Sequence, residues 1–238
     1  QIKDNENTIL GEEVKHIANV LRLKKEDEIQ ICNLDTKMNY IANINEIDKK
    51  YVKCKIKKIE KTNSEIQINI TLYQGLPKAD KMEYIIQKNV ELGVKKIIPV
   101  EMERSIVKFD QKTVEKKIER WQKISEVASK QSGRDIIPKI EIPTNIKKIC
   151  ENINEYDIVL VAYENEEDNT LKTELQKIKK TDNLKIAIII GPEGGIDKKE
   201  ILQLKEVGAK TITLGQRILR TETASIVVIS NIIYELEM

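Results

Sequence analysis

The spacing of apolar positions changes character once along the chain. Residues 11–23 set Val14, Ile17 and Leu21 at helical intervals, which predicts a short helix ending at Arg22. Strand-like stretches follow at Glu28–Asn33, Asn39–Ile47 and Tyr51–Ile59. In the last, Val52, Cys54 and Ile56 alternate with Lys53, Lys55 and Lys57, which puts an apolar face on one side of a strand and three lysines on the other. Residues 1–64 therefore read as a small antiparallel β barrel or sandwich, followed only by the short connection Lys61–Ser64. From Ile66 onward strand-length apolar runs alternate with helical periodicity. Strands are predicted at 66–73, 96–101, 157–162, 185–190 and 210–214, and helices at 80–92, 113–131, 170–179, 197–206 and 221–236. This alternation predicts, over residues 65–238, an α/β unit with a mainly parallel sheet covered on both faces. Asp80 with Glu83, and Asp197 with Glu200, have the spacing of capping boxes and set two helix starts. Ser225–Ile233 is apolar nearly all round, so the last helix should be buried on more than one side. Its own sheet would take one face and a second copy of the chain another, which predicts a homodimer.

Composition narrows the classes. The 238 residues suffice for one or two domains, and no apolar run approaches the ~18 residues of a membrane span. The chain opens at Gln1 with no signal-peptide pattern, although residues lost ahead of it leave a targeting segment open. Cys32, Cys54 and Cys150 are widely spaced in apolar contexts, which predicts reduced, buried thiols, no disulfide frame and a cytoplasmic location. His16 is the single histidine and no cysteines are paired, so structural zinc has no ligand set and no metal is expected. The net charge is +2, an excess carried by residues 1–64. That is no domain-wide basic footprint, and any RNA contact must come from local patches. The lysine face Lys53, Lys55, Lys57 is either a solvated outer surface or a phosphate-tracking stripe. Of the 41 basic residues only Arg22, Arg104, Arg120, Arg134, Arg217 and Arg220 are arginine. Where lysine is the default cation, an arginine suggests that a planar, multi-donor group is wanted.

Two of those arginines lie in Leu214-Gly-Gln-Arg-Ile-Leu-Arg-Thr-Glu-Thr-Ala224, directly after a predicted strand. A second segment, Gly191-Pro-Glu-Gly-Gly195, follows another. Ligands of open α/β sheets sit beyond the carboxyl ends of the strands, so two rebuilt strand ends suggest one shared pocket. Neither the phosphate-loop nor the dinucleotide glycine fingerprint is present. The glycine segment is either a tight turn or a bent backbone offering carbonyls and amides to the edge of a neutral heterocycle.

Taken together, "IGPEGGI" and "LGQRILRTETA" closely resemble the signature of the RsmE family of 16S ribosomal RNA uridine-N3 methyltransferases, in the SPOUT superfamily. "HIANVLR" (16–22), "EYIIQKNVELGV" (83–94), "ERS" (103–105) and "WQKISEVASKQSGR" (121–134) resemble the family's segments in the same order, so the likeness covers nearly the whole chain. The family usually opens with a short strand that is absent before Gln1. The resemblance implies a PUA-like RNA-binding domain over residues 1–64 and a SPOUT methyltransferase domain over 65–238 whose chain forms a trefoil knot, against the general rule that chains do not thread loops. It further implies a dimer and S-adenosylmethionine as methyl donor, held by three loops. On this sequence those loops are Ala162–Glu164, Gly191–Gly195 and Leu214–Arg220. The candidate donor contacts are thus Ala162, Tyr163, Glu164, Gly191, Glu193, Gly194, Gly195, Leu214, Gly215, Ile218 and Leu219.

Uridine N3 is a poor nucleophile until its proton leaves, and the site must then stabilise charge spread over N3 and the flanking oxygens. Arg220 and Arg217 suit that task. Glu222 either accepts the proton, holds an arginine, or is only a favourable first-turn acid. Glu193 either faces the ligand or bonds a nearby backbone amide. His16 and Arg22 match the family's H-x-x-x-V-L-R pattern and are RNA candidates. Arg104 and Arg134 are candidate phosphate or base contacts, with salt bridges as the competing explanation, and Trp121 reads as a core anchor. Aromatics are 4%, so RNA recognition should depend on shape and phosphates plus one flipped-out base. The rivals are another SPOUT enzyme acting on transfer RNA or a ribose 2′-hydroxyl, and a non-catalytic RNA-binding protein of ribosome assembly. The arginine-bearing segment speaks against the ribose enzymes, which typically carry an asparagine-serine motif there.

Overall fold

The computed structural model describes residues 2–3, 6–33, 38–61, 64–107, 111–179, 181 and 183–238. The chain divides into two compact units, Gln1–Glu65 and Ile66–Met238. Residues 62 and 63 of the Lys61–Ser64 connection lie outside the described residues.

The first unit is a five-stranded antiparallel sheet made of β1 (Ile2–Lys3), β2 (Glu6–Leu10), β3 (Glu28–Asn33), β4 (Met38–Ile47) and β5 (Tyr51–Lys61), in the order β1-β2-β5-β4-β3. Among the described residues β1 and β3 do not pair, so the sheet is a curled partial barrel. Register irregularities at Ile41/Ala42 and Ile44/Glu46 add the local bend and twist that curl it. Val52, Cys54 and Ile56 point inward onto Ala42 and Ile44, and they close the core with Val14 and Ile17. The outward lysines are interleaved with acids from other strands of the same sheet. Lys53 lies 3.3 Å from Glu46, Lys57 lies 3.3 Å from Glu28, and Lys55 stands opposite Glu6. Of the two readings of this stripe, the solvated face fits that arrangement.

The helix expected over 11–23 is shorter and different. A single turn, α1 (Glu12–Lys15), widens into a π-helical turn over His16–Val20, with Leu21 N–H donating to the His16 carbonyl. The wider turn breaks the helical spacing, so Leu21 leaves the Val14/Ile17 face and is 53% exposed. Cys32 is also exposed, whereas Cys54 is buried and Cys150 half-buried. The expectation of three buried thiols therefore holds fully only for Cys54, whose thiol burial pushes up to about 11.

The second unit is a parallel sheet built from β6 (Asn69–Gly75), β7 (Lys96–Glu101), β8 (Lys139–Ile140), β10 (Ile158–Ala162), β11 (Lys185–Ile190) and β12 (Lys210–Ile212). The strand order is β12-β10-β11-β6-β7-β8, and β9 (Thr144–Asn145) also pairs with β7. Both faces are covered. On one side α2 (Lys81–Glu91), α3 (Gln111–Gln131), α5 (Leu171–Leu175) and α7 (Thr221–Glu237) bury Leu72, Ile186, Ile188 and Val228. On the other, α4 (Ile146–Glu151) and α6 (Lys198–Glu206) cover Val161, Ala187, Ile189 and Leu204. This two-sided burial is why β11 reads as an unbroken apolar run. Trp121 is a core residue, 3% exposed.

Local differences have local causes. Asp197 forms its full capping box, but the Asp80 side chain caps nothing. The Glu83 carboxylate goes instead to Arg120, 2.8 Å away. The helix expected over 170–179 stops at Leu175, because Lys177 and Ile178 N–H turn to carbonyls three residues back. α4 is an additional short helix that follows the Pro143-Thr144 step, and Asn145 caps it by accepting from Lys148 N–H at 3.0 Å.

Candidate active site

Register brings the strand ends together. Ala162 of β10 pairs with Ile190 of β11 and with Ile212 of β12, and Ile190 pairs with Gln74 of β6. The segments that leave β10, β11 and β12 therefore start at one level and surround one cavity of ≈ 550 Å³. Its walls contain Ala162, Tyr163 and Glu164, then Gly191, Glu193, Gly194 and Gly195, then Leu214, Gly215, Arg217, Ile218, Leu219 and Arg220. The three expected segments are thus spatial neighbours. Ile190, Ala162, Leu219 and Ala224 are among the residues that give it apolar surface, and loop backbone and charged side chains also contribute to the wall.

Close packing dictates the glycines. A Cβ on Gly75, at the end of β6, would lie 2.6 Å from the Pro192 ring. Gly195 has φ +72°, a backbone conformation that L side chains rarely adopt, so glycine is favoured there, and its open face lies against the Glu164 carboxylate. A Gly195 N–H to Pro192 carbonyl bond at 2.9 Å closes the turn.

A buried polar chain behind the wall joins the loop after β11 to the start of α7. Gln74, fully buried, donates from Nε2 to Thr221 Oγ1 at 2.8 Å and to the Gly75 carbonyl at 3.0 Å. Thr221 Oγ1 donates in turn to the Gly191 carbonyl at 2.6 Å. Asn89 donates to Ser225 Oγ at 3.0 Å and Ser225 to the Glu222 carbonyl at 3.1 Å, which ties α2 to the same first turn. The loop after β10 is braced through Glu166. It accepts from the Thr211 hydroxyl and from Asn169 N–H, with Lys205 3.7 Å away. The Thr211 bond is the main cause holding the Glu166 carboxyl below its ordinary range.

The charged rim differs in part from expectation. Arg217 and Arg220 are exposed on the arginine-bearing segment. The Glu193 carboxylate accepts from Lys78 N–H at 3.1 and 3.2 Å and from Lys81 Nζ at 2.9 Å. Burial alone would raise its pKa, but Lys81 and the backbone bonds outweigh that and the net shift is downward. This is the amide-bonding reading of Glu193, although the residue also lines the cavity. Glu222 has its Oε2 buried without a hydrogen-bond partner, 3.8 Å from Lys81 Nζ. Lys81 was missed by sequence reasoning, because one lysine among many carries no mark.

Two arginines are structural braces. Arg104 donates to the Gly194 carbonyl at 3.1 Å and pairs with Asp197 at 3.2 Å, clamping the glycine loop to the head of α6. The backbone N–H of Lys199, then Arg104, holds the Asp197 carboxyl below its usual range. Arg134 corrects the expectation of an RNA contact. It is 6% exposed and donates to the carbonyls of Val90, Val94 and Gly93 at 2.9, 2.8 and 3.3 Å. Its donors are spent on the open carboxyl end of α2. His16 and Arg22 are exposed in the first unit, at and just after the π turn, and Arg22 has the left-handed φ of 54° that non-glycine residues rarely adopt.

Comparison with known proteins adds an independent line. A family model described as RNA methyltransferase domain matches residues 64–233, and one described as RNA methyltransferase PUA domain matches residues 9–57. The ribosomal RNA small subunit methyltransferase E of Bacillus subtilis is 37% identical over 235 residues, 97% of this chain and 91% of the relative. That of Buchnera aphidicola from Acyrthosiphon pisum is 39% identical over 228 residues, 95% of this chain and 87% of the relative. The crystal structure of a ribosomal RNA small subunit methyltransferase E from Neisseria gonorrhoeae, bound to S-adenosyl methionine, matches with a TM-score of 0.83 at 31% identity. That match covers 98% of this chain and 94% of the other.

Proposed function

This chain belongs to the ribosomal RNA small subunit methyltransferase E family, and from that premise we propose that it methylates N3 of one uridine in 16S ribosomal RNA, with S-adenosylmethionine as donor. The observation that carries the reading is the convergence of the segments after β10, β11 and β12 on one cavity, with Arg217 and Arg220 in its wall.

The cavity suits such a donor. Its volume is within the ~300–1,000 Å³ usual for small-molecule sites. Apolar Ile190, Ala162, Leu219 and Ala224 suit a heterocycle, and the backbone of Gly191–Gly195 and Leu214–Leu219 offers amides and carbonyls to its edge. When bound, the donor supplies an electrophilic methyl group on a sulfonium.

The chain's own task is to deprotonate and orient the acceptor. Arg217 and Arg220 stabilise the charge that spreads over N3 and the two ring oxygens as the proton leaves. Glu222 takes that proton, and the Asn89–Ser225 chain holds the turn that carries it. Thr221, fixed between Gln74 and Gly191, sets where the neighbouring Arg220 begins. His16 and Arg22 contact RNA from the PUA-like unit. The second unit carries the trefoil knot implied by the resemblance.

The protein acts as a homodimer. In one subunit α7 buries Ala224, Val228, Ile229, Ile232 and Leu236, but along its opposite side Val227 is half-buried and Tyr234 is 69% exposed. A second copy would cover that side.

The test is mass spectrometry of digested 16S RNA from small subunits of a strain lacking the gene, after incubation with the protein and donor. N3-methyluridine at a single position is the expected product. A methyl on ribose, or none at all, would overturn the proposal.

A further inference from the structure

We propose that Lys81 is a positioning residue for methyl transfer, its ammonium held between Glu193 and Glu222 so that the Glu222 carboxylate stays ionised to receive the acceptor's proton. This rests on the reading of the cavity as a uridine-N3 methyltransferase site and deepens it.

The geometry presents Lys81 to the cavity by a costly turn. Ala79, two residues before it, has a φ of 53°, in the left-handed region that alanine rarely enters. Both oxygens of Glu193 accept from Lys78 N–H, which ties this turn to the glycine loop. Lys81 then opens α2 in the cavity wall, 2.9 Å from Glu193 Oε1 and 3.8 Å from Glu222 Oε2. One cation thus serves two carboxylates from different segments.

Glu222 needs that cation. Its Oε2 is buried and accepts no hydrogen bond, and the Lys81 ammonium 3.8 Å away faces it. The charged groups around it are Lys81 of α2, Glu193 of the glycine loop, Arg220 at the head of α7 and Arg217 in the preceding segment. Glu193 is a like charge, and the Lys81 ammonium stands between the two carboxylates. In the step assigned here the N3–H bond breaks, the proton passes to the Glu222 carboxylate, and the electron pair stays on N3. An ionised carboxylate lacking hydrogen bonds is the receptive partner for that proton. The same ammonium adds a third positive charge near the ring as its charge develops.

A clamp that only holds Glu193 would predict something else, and the pH profile separates the two. The experiment measures single-turnover methylation of small subunits lacking the modification, by the full-length protein and its Lys81→Met, Lys81→Arg and Glu222→Gln variants, as a function of pH. For Lys81→Met the rate constant should fall about 100-fold, the scale of general-base effects, and the rising limb should move to higher pH. Donor affinity, by calorimetry, should change far less. Lys81→Arg should keep the limb in its original place. Adding Lys81→Met to Glu222→Gln should shift nothing further. A slower Lys81→Met with an unmoved limb, or a loss confined to donor affinity, would reduce Lys81 to a clamp and overturn the inference. So would an unchanged rate. A wild-type protein that methylates nothing would instead sink the functional reading itself.

Discussion

Replacing Thr221 by valine tests how the cavity is held in shape. Valine nearly matches threonine in volume, so the change removes a hydroxyl and opens no cavity. That hydroxyl accepts from Gln74 Nε2 at 2.8 Å and donates to the Gly191 carbonyl at 2.6 Å. Gln74 is fully buried and keeps only its bond to the Gly75 carbonyl, so one of its N–H groups loses its partner. A stranded buried donor costs about 1–3 kcal/mol and the lost bond to Gly191 about 1 more, so the unit should lose about 2–4 kcal/mol. At about 2–4 °C per kcal/mol for a unit of this size, Tm should fall by roughly 5–15 °C. Gly191 and the head of α7 both border the cavity, so part of the loss should fall on the bound state. If half does, the donor Kd rises about tenfold, since about 1.4 kcal/mol is one decade. Thermal melting and isothermal titration with S-adenosylmethionine read the two effects. Thr221→Ser, which keeps the hydroxyl, should restore most of both. A Thr221→Val protein with unchanged Tm and donor affinity would refute the claim that this chain of bonds fixes the site.

Other outcomes follow from the same geometry. Glu166, Glu193 and Asp197 brace the cavity segments, and their carboxyls sit below the ordinary range in the fold. Their stabilisation is therefore fully present above the ordinary carboxylate pKa, about 4–4.5, and is lost as pH falls through the lower folded values. Titration calorimetry on acidification should show donor affinity falling before far-UV ellipticity does, and constant affinity down to global unfolding would contradict this. Arg134→Met should destabilise the second unit by about 3 kcal/mol in denaturant, because buried carbonyls at the end of α2 lose a charged donor, while RNA affinity by filter binding stays the same. Weaker RNA binding at full stability would restore Arg134 as an RNA contact.

What the sequence discloses here depends on how local the cause is. The apolar runs of β11 and β10 and the Asp197 box are local patterns, and the structure follows them. The glycine and arginine segments were visible because each interrupts such a pattern just after a strand. That they face one another comes from the β10–β11 and β10–β12 registers, which no local pattern contains. Rarity of arginine singled out Arg217 and Arg220, which line the cavity, and equally Arg134, which is buried against the carbonyls at the end of α2. The same planar, multi-donor group that suits RNA also suits the open end of a helix. Asp80 shows the converse, since a correct capping spacing failed when Arg120 drew Glu83 away. Lys81 and Gln74 acquire meaning only from partners more than a hundred residues away, Glu193 and Thr221. The π turn after α1 leaves no signature in apolar spacing beyond the misplacement of Leu21.

The central claim is that the glycine-bearing and arginine-bearing bends enclose the same molecule. Diffraction from crystals soaked with S-adenosylmethionine tests it most directly. Density is expected for one donor in contact with Gly191–Gly195 and Leu214–Arg220 together, with its adenine against the apolar surface around Ile190. Density touching only one bend, or lying elsewhere on the chain, would contradict it.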